Sequence, residues 1–213
     1  GQWAVVLDAK ENHRVDGQTR MKLIAPRKIA GSSWATGTLA NCAGGVTPWG
    51  TVLTCEENFY KFYGDSYYKK DGGHKKVSGQ KYYFWDRFFN YPPEHYGWVV
   101  EYNPKTERSH KLCALGRFAH ESATVTRADD GRVVVYSGDD KKDECLYKFI
   151  SHSKNSLVKG DLYAADIKKG RWIPMSLEKA PQLKKYFKDQ VELLTHVRKA
   201  AHELGATPLA RPE

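Results

Sequence analysis

Between Gly97 and Arg171 the chain repeats one short pattern that limits its possible folds more than any other feature. Gly97-Trp98-Val99-Val100-Glu101-Tyr102 is rich in β-formers and is closed by the turn Asn103-Pro104-Lys105-Thr106. Ser122 to Arg127 and Arg132 to Ser137 are two further runs, joined by Asp129-Asp130-Gly131. That junction is a strong hairpin signal, because Asp and Gly tolerate the backbone angles of a tight reversal. Leu146 to Ile150 and Leu162 to Asp166 continue the series, and another strand starts at Arg171 after the Lys169-Gly170 turn. Short strands at this spacing predict a mainly β fold: a sandwich, a barrel or a propeller. The runs are too irregular to read as a blade repeat from periodicity alone.

Two stretches depart from the pattern. From residue 60 to 93 the chain is rich in Tyr, Lys, Gly and Phe with little periodicity, which predicts a long insertion or loop, covering a site or lying on the surface. Near the end, Val191, Leu194, Val197, Ala201 and Leu204 share one helical face, with Asp189 placed to cap its start and Gly205 to end it. That stripe is expected to pack on the sheet rather than to hold a cofactor. The chain opens at Gly1 directly into Gln2-Trp3-Ala4-Val5-Val6-Leu7-Asp8, an expected strand already under way, and stops at Glu213 just after the helix. The expectation is a segment of a longer protein.

Composition removes several classes. With 40% hydrophobic and 13% aromatic residues in 213, the chain is no disordered tail and has the length for a core. No run approaches the roughly 18 apolar residues of a membrane span, and no basic-then-apolar leader stands at the front. The formal charge of +9 suits an anionic partner, whether nucleic acid, polyanion or phosphorylated substrate. It equally suits a solvated Lys-rich surface, since the lysines scatter in pairs such as Lys69-Lys70, Lys141-Lys142 and Lys184-Lys185. Cys42, Cys55, Cys113 and Cys145 lack zinc-like spacing, leaving disulfides of a secreted protein or plain buried thiols.

Four local features could carry chemistry. Asn41-Cys42-Ala43-Gly44-Gly45-Val46-Thr47-Pro48-Trp49-Gly50 implies an unusual backbone around a cysteine, which is either a buried thiol beside a turn or a thiolate ligand. Thr51 to Asn58 is a strand ending in Glu56 and Glu57, whose side chains can meet one cation only where the chain bends. Gly116-Arg117-Phe118-Ala119-His120-Glu121 leads into the hairpin, and Gly138-Asp139-Asp140 leaves it. Hairpin pairing brings those ends together, so Glu121 and Asp140 can face one site. Gathered carboxylates suit hard cations such as calcium or ferric iron; an acidic solvated rim is the alternative.

Taken in order, these blocks resemble the PhoX-type alkaline phosphatases. The resemblance rests on Asn41-Cys42-Ala43-Gly44-Gly45, Thr47-Pro48-Trp49-Gly50-Thr51, Thr54-Cys55-Glu56-Glu57, His95 to Glu101 with Asn103-Pro104, Gly116 to Glu121, Tyr136 to Asp140, and Leu204 to Glu213. It covers nearly the whole chain. It implies part of a β-propeller, with an amphipathic helix inserted, around a cluster of iron and calcium ions. By motif position Cys42, Glu56, Glu57, Glu121, Asp140 and Glu213 would be metal ligands. Arg211 would be the catalytic arginine contacting phosphate, with Asn41 as a second substrate-binding residue. The implied activity is phosphomonoester hydrolysis, with a metal-held water or oxo group as nucleophile, on small phosphorylated substrates. The implied protein is a periplasmic or extracellular monomer that binds no nucleic acid, and residues 1–213, a partial propeller domain, are expected to be inactive alone.

Two other classes compete. A calcium-dependent propeller lactonase or esterase would share the acidic site but has no use for Cys42 or Arg211. A basic polyanion-binding module would rest on the charge and the 60–93 stretch, and would bind with steep salt dependence. A family member that has lost catalysis and keeps a structural cluster is also open.

Overall fold

The computed structural model describes residues 4, 6–9, 12–68, 74–77 and 83–212, with the backbone alone for 67, 68 and 74–77. In chain order it forms β1 (Arg20–Ile24), β2 (Trp34–Thr36), β3 (Asn41–Val46), β4 (Val52–Glu56), the short helix α1 (Tyr60–Tyr63), a ribbon of β5 (Asp65–Tyr68) and β6 (His74–Val77), β7 (Val99–Asn103) and β8 (Arg108–Leu112). Then follow β9 (Thr124–Arg127), β10 (Val133–Gly138), β11 (Leu146–Ser153), β12 (Ser156–Asp166), β13 (Arg171–Pro174), α2 (Gln190–Thr195) and α3 (Val197–Glu203). Of the strand expected over residues 2–8, residues 2, 3 and 5 lie outside the described residues, while 4, 6, 7 and 8 are not in a strand and Leu7-Asp8 form a turn.

The strands make two large sheets. One has the order β2-β1-β8-β7-β4-β3, antiparallel except where β1 runs parallel to β8; the other is the antiparallel meander β13-β12-β11-β10-β9. The fold is thus mainly β, as the turn spacing predicts. Among the described residues the sheets stay open, with no ring of blades closing on itself.

Side-chain alternation explains where the core sits. On β11, Tyr147, Phe149 and Ser151 point inward while Lys148 and Ile150 do not, the period of two that a half-buried strand requires. Tyr147 and Phe149 pack with Leu53, Cys55, Val99, Leu112, Val133 and Val135 from both sheets and with Leu193, Val197, Ala200 and Ala201 from the helices. The hairpin forms where the Asp-Asp-Gly signal puts it: Gly131 N–H donates to the Ala128 carbonyl and Val133 pairs with Arg127.

The expected helix forms with its expected cap, Asp189 accepting from Glu192 N–H at 2.9 Å. It is not continuous, however. The Leu194 carbonyl accepts from the Arg117 backbone N–H at 2.9 Å, so it is engaged outside the helix, and the chain breaks at His196 into α2 and α3. Among the described residues no helix is long and apolar enough to cross a membrane. The 60–93 stretch carries α1, the β5–β6 ribbon and an aromatic cluster in which Phe59, Tyr63 and Tyr96 are buried beside Phe62, Trp85 and Tyr91.

Candidate functional site

Three separate segments end at one place. β4 hands over to Glu57 at its C-terminal end, residues 119–121 lead into β9, and β10 leads out to Asp140. Backbone hydrogen bonds lay the segments side by side: His120 N–H donates to the Glu56 carbonyl at 3.1 Å, and Asp140 N–H to the Ala119 carbonyl at 2.9 Å. His120 and Asp139 form an isolated antiparallel bridge.

Glu57, Glu121 and Asp140 consequently converge. The Glu57 and Asp140 carboxyls lie within hydrogen-bonding reach, and Glu121 repels Glu57 from nearby. Partial burial, reinforced by those two acids, pushes the Glu57 carboxyl up to about 7. Asn58 Nδ2 also donates to Glu57, and Tyr60 holds Asn58 in turn at 3.0 Å. Asp140 moves the opposite way: Arg211 grips it with Nε at 2.6 Å and Nη2 at 2.7 Å, holding its carboxyl below the usual range. Two residues expected in different roles, a ligand and a phosphate contact, are here each other's partner.

Cys42 lies on β3 with its thiol exposed, whereas Cys55, Cys113 and Cys145 are buried and unbridged. Burial pushes the Cys55 and Cys145 thiols up to about 12 and Cys113 higher still, which keeps them protonated and inert. The paired glycines after Cys42 serve close backbone approach. A Cβ on Gly44 would meet the Leu53 carbonyl oxygen at 1.8 Å, and one on Gly45 the Ala123 carbonyl oxygen at 2.3 Å. β3 can therefore lie against the segment that follows Glu121. Asn41 bridges β3 and β4, its Nδ2 donating to Thr54 Oγ1 at 3.1 Å and its Oδ1 accepting from Thr38 at 2.8 Å. Glu213 lies outside the described residues.

Glu56, expected among the ligands, is occupied inside the protein. Its carboxylate is wholly buried and accepts from Leu39 N–H at 3.1 Å, Gly97 N–H at 2.9 Å, Trp98 N–H at 3.1 Å and Lys111 Nζ at 2.7 Å. Four donors fill its acceptor capacity. His120 is likewise consumed. Its Nε2 donates to the Gly116 carbonyl at 2.9 Å, its Nδ1 lies 2.8 Å from Ser137 Oγ, and burial pushes the ring down to about 3, so it is neutral. Sequence reading missed the cations that do this interior work. Arg198 of α3 grips Asp139 at 2.6 and 2.7 Å and reaches Asp65 at 3.5 Å; Arg117 donates to Asp65 at 2.7 Å. No local signal marks them, because their partners come from distant parts of the chain.

Carboxylates drawn toward one place, with an exposed thiol elsewhere on β3, are donor types that suit a hard cation and a softer ligand respectively. The mutual repulsion at Glu57 is the electrostatic condition that a bound cation relieves. In this arrangement, no three His, Cys, Asp or Glu side chains among the described residues are close enough to hold a metal ion. The donor types fit a metal; the shell is not drawn closed.

The family model described as "Alkaline phosphatase PhoX" matches residues 1–213. Among solved structures, Pseudomonas fluorescens PhoX in complex with vanadate, a transition state analogue, is similar to the chain at 30% identity and a TM-score of 0.76. The alignment covers 100% of this chain and 44% of that one, so the chain spans less than half the length of the structure it matches. No curated protein matches it.

Proposed function

The chain belongs to the alkaline phosphatase PhoX family, and from that membership we propose that it forms part of an enzyme hydrolysing phosphate monoesters. The observation that carries the reading is the convergence of Glu57, Glu121 and Asp140 from three segments, with Arg211 at their edge. A site for a phosphoryl group needs positive charge opposite developing negative charge, and carboxylates alone would repel it. Arg211 supplies part of that charge, and a metal would supply the rest.

Cys42, Glu57, Glu121, Asp140 and Glu213 would hold the metals, which we propose to be iron and calcium. Bound there, they act as Lewis acids toward phosphoryl oxygens. The chain's own residues do the orienting. Asp140 takes two of the five N–H donors of Arg211 and so fixes the plane of its fork, which matches a pair of phosphoryl oxygens. More than half of the Arg211 side chain is exposed, so a substrate can reach it. Asn41, its side chain tied across β3 and β4, would present a polar contact on the same rim. The two large sheets would be blades of a propeller completed by further chain, and the protein would act in the periplasm or outside the cell on small phosphorylated molecules.

The test is metal analysis with p-nitrophenyl phosphate hydrolysis, on the full-length parent protein and on its Cys42→Ala variant. Iron and calcium in the first, with iron and activity both lost from the second, is the expected result. A protein that binds no metal and turns over no substrate would sink the reading.

A further inference from the structure

Each of the three converging acids is the second residue of a pair whose first residue is polar and completely buried. The pairs are Glu56-Glu57, His120-Glu121 and Asp139-Asp140, and Glu56, His120 and Asp139 are all 0% exposed. Neighbouring residues on extended chain point to opposite sides. With the three segments laid side by side by the His120–Glu56 and Asp140–Ala119 backbone bonds, fixing the first side chain inward sends the second to the shared outer face. We propose that Glu56, His120 and Asp139 form an inner layer of positioning residues that sets the directions of Glu57, Glu121 and Asp140. The inference rests on the metal-binding reading of those outer acids.

Each inner side chain is held from several directions, which fixes its angle and not only its depth. Glu56 takes its four donors from the loop before β3, from the two residues just before β7 and from β8. Lys111, itself wholly buried, also donates to the His95 carbonyl at 2.9 Å and lies 4.4 Å from the centre of the Tyr96 ring. His120 is clamped at both ring nitrogens and stacked on Phe118 with centroids 3.6 Å apart. Ser137 Oγ lies 2.8 Å from His120 Nδ1 and 2.7 Å from the Ser122 carbonyl; its single proton serves one of these acceptors at a time, and the hydroxyl sits between the residues on both sides of Glu121. Asp139 is gripped bidentately by Arg198 and accepts from Ala119 N–H at 3.2 Å. Apolar residues at these positions would fill the space but would leave the backbone donors of Leu39, Gly97, Trp98 and Ala119 unpaired and the angle unspecified. Outer-shell partners of metal ligands are worth about 10–100-fold in affinity where measured, and an inner layer of this kind predicts that range.

Three variants of the intact protein decide it: Ser137→Ala, which leaves every charge in place; the double variant Asp139→Asn/Arg198→Met, which removes both charges of one inner pair; and Glu121→Gln in the outer layer. Each is assayed for folding by circular dichroism and melting, for calcium affinity by titration, and for iron per chain by elemental analysis. Ser137→Ala and the double variant are expected to fold cooperatively yet to bind calcium about 10–100-fold more weakly and carry less iron. A merely structural role would lower the melting temperature and leave metal per folded chain unchanged. Inner variants that fold and bind metal as the wild type does, while Glu121→Gln binds poorly, would overturn the inference alone. A Glu121→Gln protein with undiminished metal binding would overturn the metal reading, and the inference with it. Should the double variant not fold, Ser137→Ala carries the same decision.

Discussion

Where β4 ends, the Glu56 carboxylate meets Lys111 with both side chains completely out of solvent; just past β10, Asp140 meets Arg211, whose side chain is 58% exposed. Both are carboxylate–cation pairs with contacts near 2.6–2.7 Å, and both stand beside the same cluster. Their surroundings assign them opposite work. Two buried charges repay their desolvation only in good geometry with every remaining donor and acceptor used, so the Glu56–Lys111 pair has one available arrangement. A guanidinium in contact with water gains little from its partner and can turn to another anion at small cost. The interior pair holds a position, and the rim pair is able to change partners.

The largest expected effect breaks the interior pair. Lys111→Met leaves Glu56 buried with its backbone donors and no counter-charge, a loss of about 3–5 kcal/mol. Thermal and urea unfolding measure it. Lys111→Met combined with Glu56→Gln removes both charges and should cost less than the single change, because the two sites share one interaction. A Lys111→Met protein as stable as the wild type would end the distinction between the pairs.

Arg211→Ala tests the other side. Losing an exposed pair should lower stability by no more than about 1 kcal/mol. The loss in kcat/KM for p-nitrophenyl phosphate should be about 10²–10³-fold, the usual scale for a preorganised donor aimed at developing charge. Stability and activity thus separate at Arg211. Were the variant to melt as early as Lys111→Met, the rim pair would have to be counted as architecture.

The same contrast explains what the sequence could reveal. The β9–β10 hairpin is written locally, in Asp129-Asp130-Gly131, and it alone places Glu121 near Asp140. The cap of α2 is local too, and Asp189 could be read from its position before the apolar stripe. The break at His196 could not, because the acceptor it spares is engaged by Arg117 from another part of the chain. Glu56 and Glu57 look alike in sequence; only donors gathered from Leu39, Gly97, Trp98 and Lys111 tell them apart. The outer acids were legible through family resemblance and hairpin geometry. The inner layer depends on long-range packing, which no window of residues contains.

A third pair lies between the two extremes and gives the smallest effect. His202 Nε2 sits 3.0 Å from Glu144 Oε2, with the histidine side chain 46% exposed and the glutamate 11%. The hydrogen bond to Glu144 chiefly holds the imidazole above its ordinary 6.5; Glu144 and Asp139 add to that electrostatically, while burial and Arg198 oppose it. Since the folded value is raised, the stabilisation is complete below the unfolded value and is lost as pH climbs through the folded one. The melting-temperature advantage of the wild type over His202→Gln should therefore shrink as pH rises between about 6 and 8. Solvent screens a half-exposed pair, so the advantage should also weaken with added salt and stay well below the Lys111 effect. An advantage that grew with pH would reverse the sign of the pairing. One that ignored salt would move His202–Glu144 to the interior class, and exposure of the cation would no longer separate architecture from rim.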